Sequence, residues 1–145
     1  DSTFVQEVRN YLDGLGTLNE VSIEFNQTGR EEYLTPPMRR AFYRIIKEAT
    51  GNAVRHGKCS ALTVSLEMGP YGSSLKVADN GKGFDISLYK ETDESGKLGL
   101  VNMRELAFSL QGTFNIESTT GQGTVVTCYV PASPVSQKFS ATGGL

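Results

Sequence analysis

From Pro37 to about His56, Met38, Phe42, Ile45, Ala49 and Ala53 recur every three or four residues, the apolar stripe of one long amphipathic helix. A stripe of that kind is buried only if a second layer covers it. The second layer is legible just downstream. Ala61 to Met68 alternates apolar and polar, Gly69-Pro70-Tyr71-Gly72 makes a turn, and Ser74 to Asp79 returns as the predicted hairpin partner. Strict alternation buries one face of each strand, so the helix and the hairpin need each other.

The remaining segments extend the same plan. Phe4, Val5, Val8 and Leu12 predict a helix over residues 2–12, capped by Asp1 or Ser2 and ended by Gly14 and Gly16. Residues 21–25 alternate as a half-buried strand, and residues 26–35 read as a polar loop that Pro36-Pro37 closes by opening the long helix. Residues 85–95 are polar, acidic and aperiodic, and are expected to be mobile. A helix over 101–110 carries Met103, Leu106, Ala107 and Leu110 on one side. Two strands follow, 113–117 and 124–130, joined by a turn at 119–123, with Pro131 stopping the second. The predicted domain runs over 1–131, and the Ser-, Gly- and Ala-rich tail over 132–145 is expected to be disordered. Paired strands separated by helices predict an α/β sandwich, a mixed sheet with helices on one face.

Composition excludes several classes. With 145 residues, 38% of them hydrophobic, the chain can bury one real core. A net charge of −2 leaves no basic footprint, so nucleic acid is not an expected partner. There is no membrane-spanning apolar run and no signal peptide, and a cytoplasmic location is expected. Cys59 and Cys128 lack metal-ligand spacing and read as buried free thiols. A start at Asp1 without Met suggests a piece of a longer protein.

Two clusters carry chemistry. In Val77-Ala78-Asp79-Asn80-Gly81-Lys82-Gly83-Phe84-Asp85 a strand runs into a carboxylate, an acceptor-only group that suits an amino donor. Gly81 and Gly83 let a flat ligand approach the backbone; the alternative is a plain Asn-Gly hairpin turn. On the long helix Glu48, Asn52 and His56 are each four residues apart and share a face bordering the apolar stripe. A solvated helix edge is the alternative there. The Gly-x-x-x-x-Gly-Lys-Ser/Thr phosphate loop and the dinucleotide fingerprint are both absent.

Taken together, Glu48-x-x-x-Asn52, Asp79-x-Gly81-x-Gly83, Gly96-x-x-Gly99-Leu100 and Gly121-x-Gly123-Thr124 resemble, in order, the motifs of the GHKL (Bergerat-fold) ATPases over residues 36–131. Glu48 to His56, with Gly99 to Glu105, is most similar to the catalytic domain of the nitrate-sensor-like subfamily of sensor histidine kinases. The resemblance implies a mostly antiparallel five-stranded mixed sheet under three helices, with ATP held beneath a flexible lid formed by residues 85–95. It implies that Asp79 accepts from the adenine amino group with Thr124 assisting through water, and that Gly81 and Gly83 let the backbone close over the base. Asn52 is then the Mg²⁺ ligand, and Gly96, Gly99 and Leu100 present backbone N–H groups to phosphate. Glu48 is the catalytic carboxylate. Arg55, His56 and Lys97 are phosphate-side candidates, with His56 alternatively a helix-end cap.

Histidine commonly stands at the position of Lys97 in that family, and arginine at that of Leu106; both departures bear on the lid. His56, the single histidine, belongs to the nucleotide motif. The resemblance therefore implies a phosphoacceptor histidine on a dimerisation domain upstream of Asp1, a homodimeric parent, membrane-anchored or not, a monomeric isolated domain, and a cognate response regulator. Two rival readings are an anti-sigma-factor serine kinase of the same fold and a non-catalytic nucleotide-binding module. Retention of both Glu48 and Asn52 argues against the module, and Met103-Arg104-Glu105 against the serine kinase.

Overall fold

The structure, a computed structural model, describes residues 3–88 and 98–132. The elements are α1 (Phe4–Asn19), β1 (Ser22–Gly29), α2 (Pro36–Arg55), β2 (Ala61–Met68), β3 (Gly72–Asp79), α3 (Leu100–Ser109), β4 (Thr113–Ser118) and β5 (Thr124–Pro131). The strand order is β1-β2-β3-β5-β4, with β1 parallel to β2 and every other pair antiparallel. Both predicted hairpins, β2–β3 and β4–β5, pair as neighbours.

Alternation in the strands becomes one buried sheet face. Leu62, Val64, Leu66 and Met68 of β2, Leu75 and Val77 of β3, and Val126, Cys128 and Val130 of β5 all join the core. The register aligns Phe25, Val64, Val77, Val126 and Ile116 in a row crossing all five strands. The α2 stripe lies in the same core, where Phe42, Ile45 and Ile46 have no exposed surface. Thr35 caps α2 by accepting from the Met38 N–H at 3.4 Å. Among the described residues no helix is long and apolar enough to cross a membrane.

Two local expectations fail. Helix α1 does not end at Gly14 and Gly16 but continues to Asn19, and its cap is Thr3, which accepts from the Gln6 N–H. Burial of Phe4, Val8 and Leu12 outweighs the low helix propensity of the two glycines. Gly16 instead allows close approach: its carbonyl accepts from the Val21 N–H at 3.0 Å, and a Cβ there would stand 2.9 Å from the Val21 carbonyl oxygen. The loop predicted from Asn26 is also shorter, because β1 continues to Gly29 in parallel register with β2. Its last residues are exposed and polar, so no alternation announced them.

Of the expected mobile segment, residues 86–88 form a single 3-10 turn and residues 89–97 lie outside the described residues. Ala132, first residue of the predicted tail, is buried and donates its N–H to the Tyr71 carbonyl at 2.9 Å. The rest of the tail lies outside the described residues.

Candidate functional site

The row next to Phe25–Val64–Val77–Val126–Ile116, two residues along each strand, is Ile23, Leu62, Asp79, Thr124 and Ser118. The same sheet face thus turns from apolar to polar where β3, β5 and β4 meet. Helix α2 passes above this edge, and a cavity of about 430 Å³ lies between them. Its walls are Ala49, Ala53, Val77, Leu98, Ile116 and Val126, with Asn52, His56, Asp79 and Thr124 among the polar groups. That is the size and balance of a small-molecule site, apolar walls with a few convergent polar groups.

Asp79 is half-buried, and burial pushes its carboxyl above the usual value. Backbone N–H groups of Gly81 and Thr124 pull it partly back, the first donating to Oδ1 at 2.7 Å. The loop after Asp79 is held from several sides. Lys82 N–H donates to the Gly57 carbonyl at 2.7 Å, and Gly121 N–H to the Lys82 carbonyl at 2.5 Å. The Asn80 side-chain oxygen accepts from the Ser60 and Ala61 N–H groups, both at 3.0 Å. The simple Asn-Gly hairpin is therefore not what forms: β3 hands over to a loop docked on the end of α2.

The two glycines sit differently about the cavity. Gly81 is not a wall of the cavity; a Cβ on it would stand 2.6 Å from the Gly57 carbonyl oxygen, so it lets two backbones meet while its N–H holds Asp79. Gly83 does line the cavity, at φ +64°, and a Cβ there would fall on the Thr119 carbonyl. Both serve backbone packing around the site.

Glu48, Asn52 and His56 share one face of α2, as the spacing predicted, at different depths. Asn52 Nδ2 donates to the Leu98 carbonyl at 2.7 Å, which fixes the amide. Its Oδ1 is buried and meets no donor among the described residues. Glu48 is one turn earlier, outside the cavity walls, 3.8 Å from the Arg44 guanidinium and partly exposed. It abuts Gly99, the left-handed residue (φ 62°) preceding α3: a Cβ on Gly99 would stand 2.6 Å from Glu48 Oε2. A carboxylate there faces the positive end of α3. Leu100 is the first residue of α3, buried in the core.

His56 lines the cavity and is also the C-cap of α2, its N–H donating to the Asn52 carbonyl at 2.9 Å, so the helix-end alternative describes its place in the fold. Arg55 turns back over Gly51 and is not a cavity wall. Gly96 and Lys97 lie outside the described residues. Sequence reasoning missed Lys82, Phe84, Ile116 and Thr120 in the walls, and Ser118 behind Thr124. Ile116 and Ser118 were findable only with the β4–β5 register. Among the described residues no cluster of three His, Cys, Asp or Glu side chains could hold a metal by itself.

The site is an apolar cleft of an α/β sandwich, between a one-sided mixed sheet and its covering helices, with a carboxylate at the strand end and an asparagine on the helix. The chain belongs to the histidine kinase-, DNA gyrase B- and HSP90-like ATPase family, which matches residues 38–134. It is 35% identical over 136 residues to the signal transduction histidine-protein kinase/phosphatase DegS of Bacillus subtilis, covering 92% of this chain and 35% of that one. It is 37% identical over 90 residues to the oxygen sensor histidine kinase NreB of Staphylococcus carnosus, covering 61% of this chain and 25% of that one. The chain thus spans about a third or less of these relatives. The fold is that of the catalytic domain of histidine kinase ThkA, with a TM-score of 0.70 at 14% identity over 92% of each chain.

Proposed function

We propose that this chain is the ATP-binding catalytic domain of a sensor histidine kinase, which passes the γ-phosphoryl group of ATP to a histidine on an upstream dimerisation domain within a two-component system. The parent is then a homodimer that signals to a cognate response regulator, and this domain works in the cytoplasm as a monomeric unit spanning residues 1–131. The observation that carries the reading is the pairing of a half-buried carboxylate on the Gly57–Gly81 side of the cleft with an orphaned Asn52 Oδ1 on the Leu98 side.

Asp79 receives the adenine amino group as an acceptor, with Thr124 beside it. Asn52 fits a Mg²⁺ ion, because a buried amide oxygen already fixed through its nitrogen, with no donor among the described residues, is a hard, preorganised ligand. Bound there, Mg²⁺ would supply charge neutralisation to the phosphates. Gly99 and Leu100 direct α3's first N–H groups at phosphate, joined by Gly96 and Lys97, and His56 adds a contact from the α2 end. Arg55, placed over Gly51, reaches phosphate only by leaving that position. Glu48 polarises the attacking nucleophile from the turn of α2 beside Gly99.

Isothermal titration of the chain with ATP and Mg²⁺ tests the reading. Saturable heat in the parent, lost in Asp79→Asn and reduced without Mg²⁺, is the expected outcome. Absence of binding at millimolar ATP would overturn it.

A further inference from the structure

Ser118 is not a cavity wall, yet it hydrogen-bonds to two of them, Phe84 and Thr124, and is the next member of the lateral row after Asp79 and Thr124. Its hydroxyl meets three partners: the Phe84 N–H donates to Ser118 Oγ at 2.9 Å, Thr124 Oγ1 lies at 2.7 Å, and the Gly123 carbonyl oxygen at 3.3 Å. A serine hydroxyl has one proton and two lone pairs. The assignment that satisfies all three contacts is unique. Phe84 N–H and Thr124 O–H fill the two lone pairs, and the Ser118 proton goes to the Gly123 carbonyl. Thr124 then turns its proton away from the cavity and offers only lone pairs to it.

We propose that Ser118 is a positioning residue that sets the base specificity of the site by holding the Thr124 hydroxyl as an acceptor. Asp79 is already acceptor-only when ionised, so Asp79 and Thr124, neighbours across β3 and β5, both present acceptors to the cavity. A purine with an amino group at that end finds partners, whereas one with a carbonyl oxygen meets lone pairs facing lone pairs. Discrimination of this kind is strong because a mismatched buried polar group is left without a partner. The inference rests on reading the cavity as a nucleotide site and extends that reading to a residue outside its walls.

The test compares dissociation constants for ATP, GTP and purine riboside triphosphate, which lacks the amino group, on the 145-residue chain. The parent should prefer ATP over both others. In Ser118→Ala the Thr124 hydroxyl is released and able to donate to a carbonyl oxygen, so the ATP-to-GTP preference should fall by about fivefold to tenfold, the worth of roughly one hydrogen bond. Ser118→Thr keeps the hydroxyl and should keep the preference. In a Thr124→Val background, Ser118→Ala should leave the ratio where it stands. Should Ser118→Ala not fold, Thr124→Val alone decides: it must weaken ATP more than GTP. Equal weakening of both nucleotides, as loss of the Phe84 tether alone would give, overturns the proposal while the nucleotide reading survives. A parent that binds no ATP overturns both.

Discussion

Asp79 carries a conflict between stability and function. Its carboxyl is raised chiefly by burial, with the Gly81 and Thr124 N–H groups opposing. A carboxyl raised on folding contributes most to stability when protonated, and that contribution is lost as pH rises through the raised value. Asp79→Asn does not titrate at this position. The parent should therefore gain thermal stability relative to Asp79→Asn as pH falls through the raised value, while its ATP affinity declines over the same range. Thermal melts of both proteins across the acid range check the sign; a stability difference that does not move with pH would show the carboxylate is not desolvated. The two thiols are less exposed to such conflict. Burial raises Cys128 to about 11, so it stays protonated in the core, and Cys59 is raised by burial and then by the Asp79 charge.

At the scale of elements, α1 separates two uses of glycine that look alike in sequence. A methyl on Gly14 would meet nothing within 4 Å, so Gly14→Ala should stabilise the protein by about 0.5–1 kcal/mol through helix propensity alone. Gly16→Ala puts its methyl 2.9 Å from the Val21 carbonyl oxygen, a backbone atom that cannot swing aside, and should destabilise by about 1–3 kcal/mol. Denaturant midpoints for the two variants should move in opposite directions. Equal shifts would mean that the α1–β1 corner relaxes freely. Helix α1 itself is held on α2 by the Tyr11–Thr50 hydroxyl contact at 3.1 Å and the edge-on Tyr11–Tyr43 pair at 6.0 Å.

Across the whole molecule, the site is assembled from four places: the α2 face, the β3 end with its loop, the β4–β5 hairpin, and the start of α3. Binding and transfer divide between them. Asn52→Ala should weaken Mg·ATP binding, since it removes the orphaned oxygen, whereas Glu48→Gln keeps shape and should leave affinity nearly unchanged. Phosphoryl transfer to a separately supplied dimerisation domain should fall by about 10²–10⁴ in Glu48→Gln, the range of a general acid or base. Transfer at the parental rate would reduce Glu48 to a charge at the α3 terminus. No acid-labile phosphate should appear on His56 in any of these proteins.

Periodicity and local chemistry carried much of this on their own. The α2 stripe, the alternation of β2, β3 and β5, and the shared face of Glu48, Asn52 and His56 all follow from side-chain spacing, because 3.6 and 2 are properties of single elements. Asp79 was legible only together with the other three motifs, because a carboxylate followed by two glycines reads by itself equally as a plain turn. What the tertiary structure decided is everything that depends on register or on a second backbone. The continuation of α1 through Gly14 and Gly16 needed the core beneath it. The role of Gly81 needed the Gly57 carbonyl. The lateral row joining Asp79, Thr124 and Ser118 needed β3, β5 and β4 side by side, since hydrogen bonds between strands bring together residues that no spacing along the chain relates.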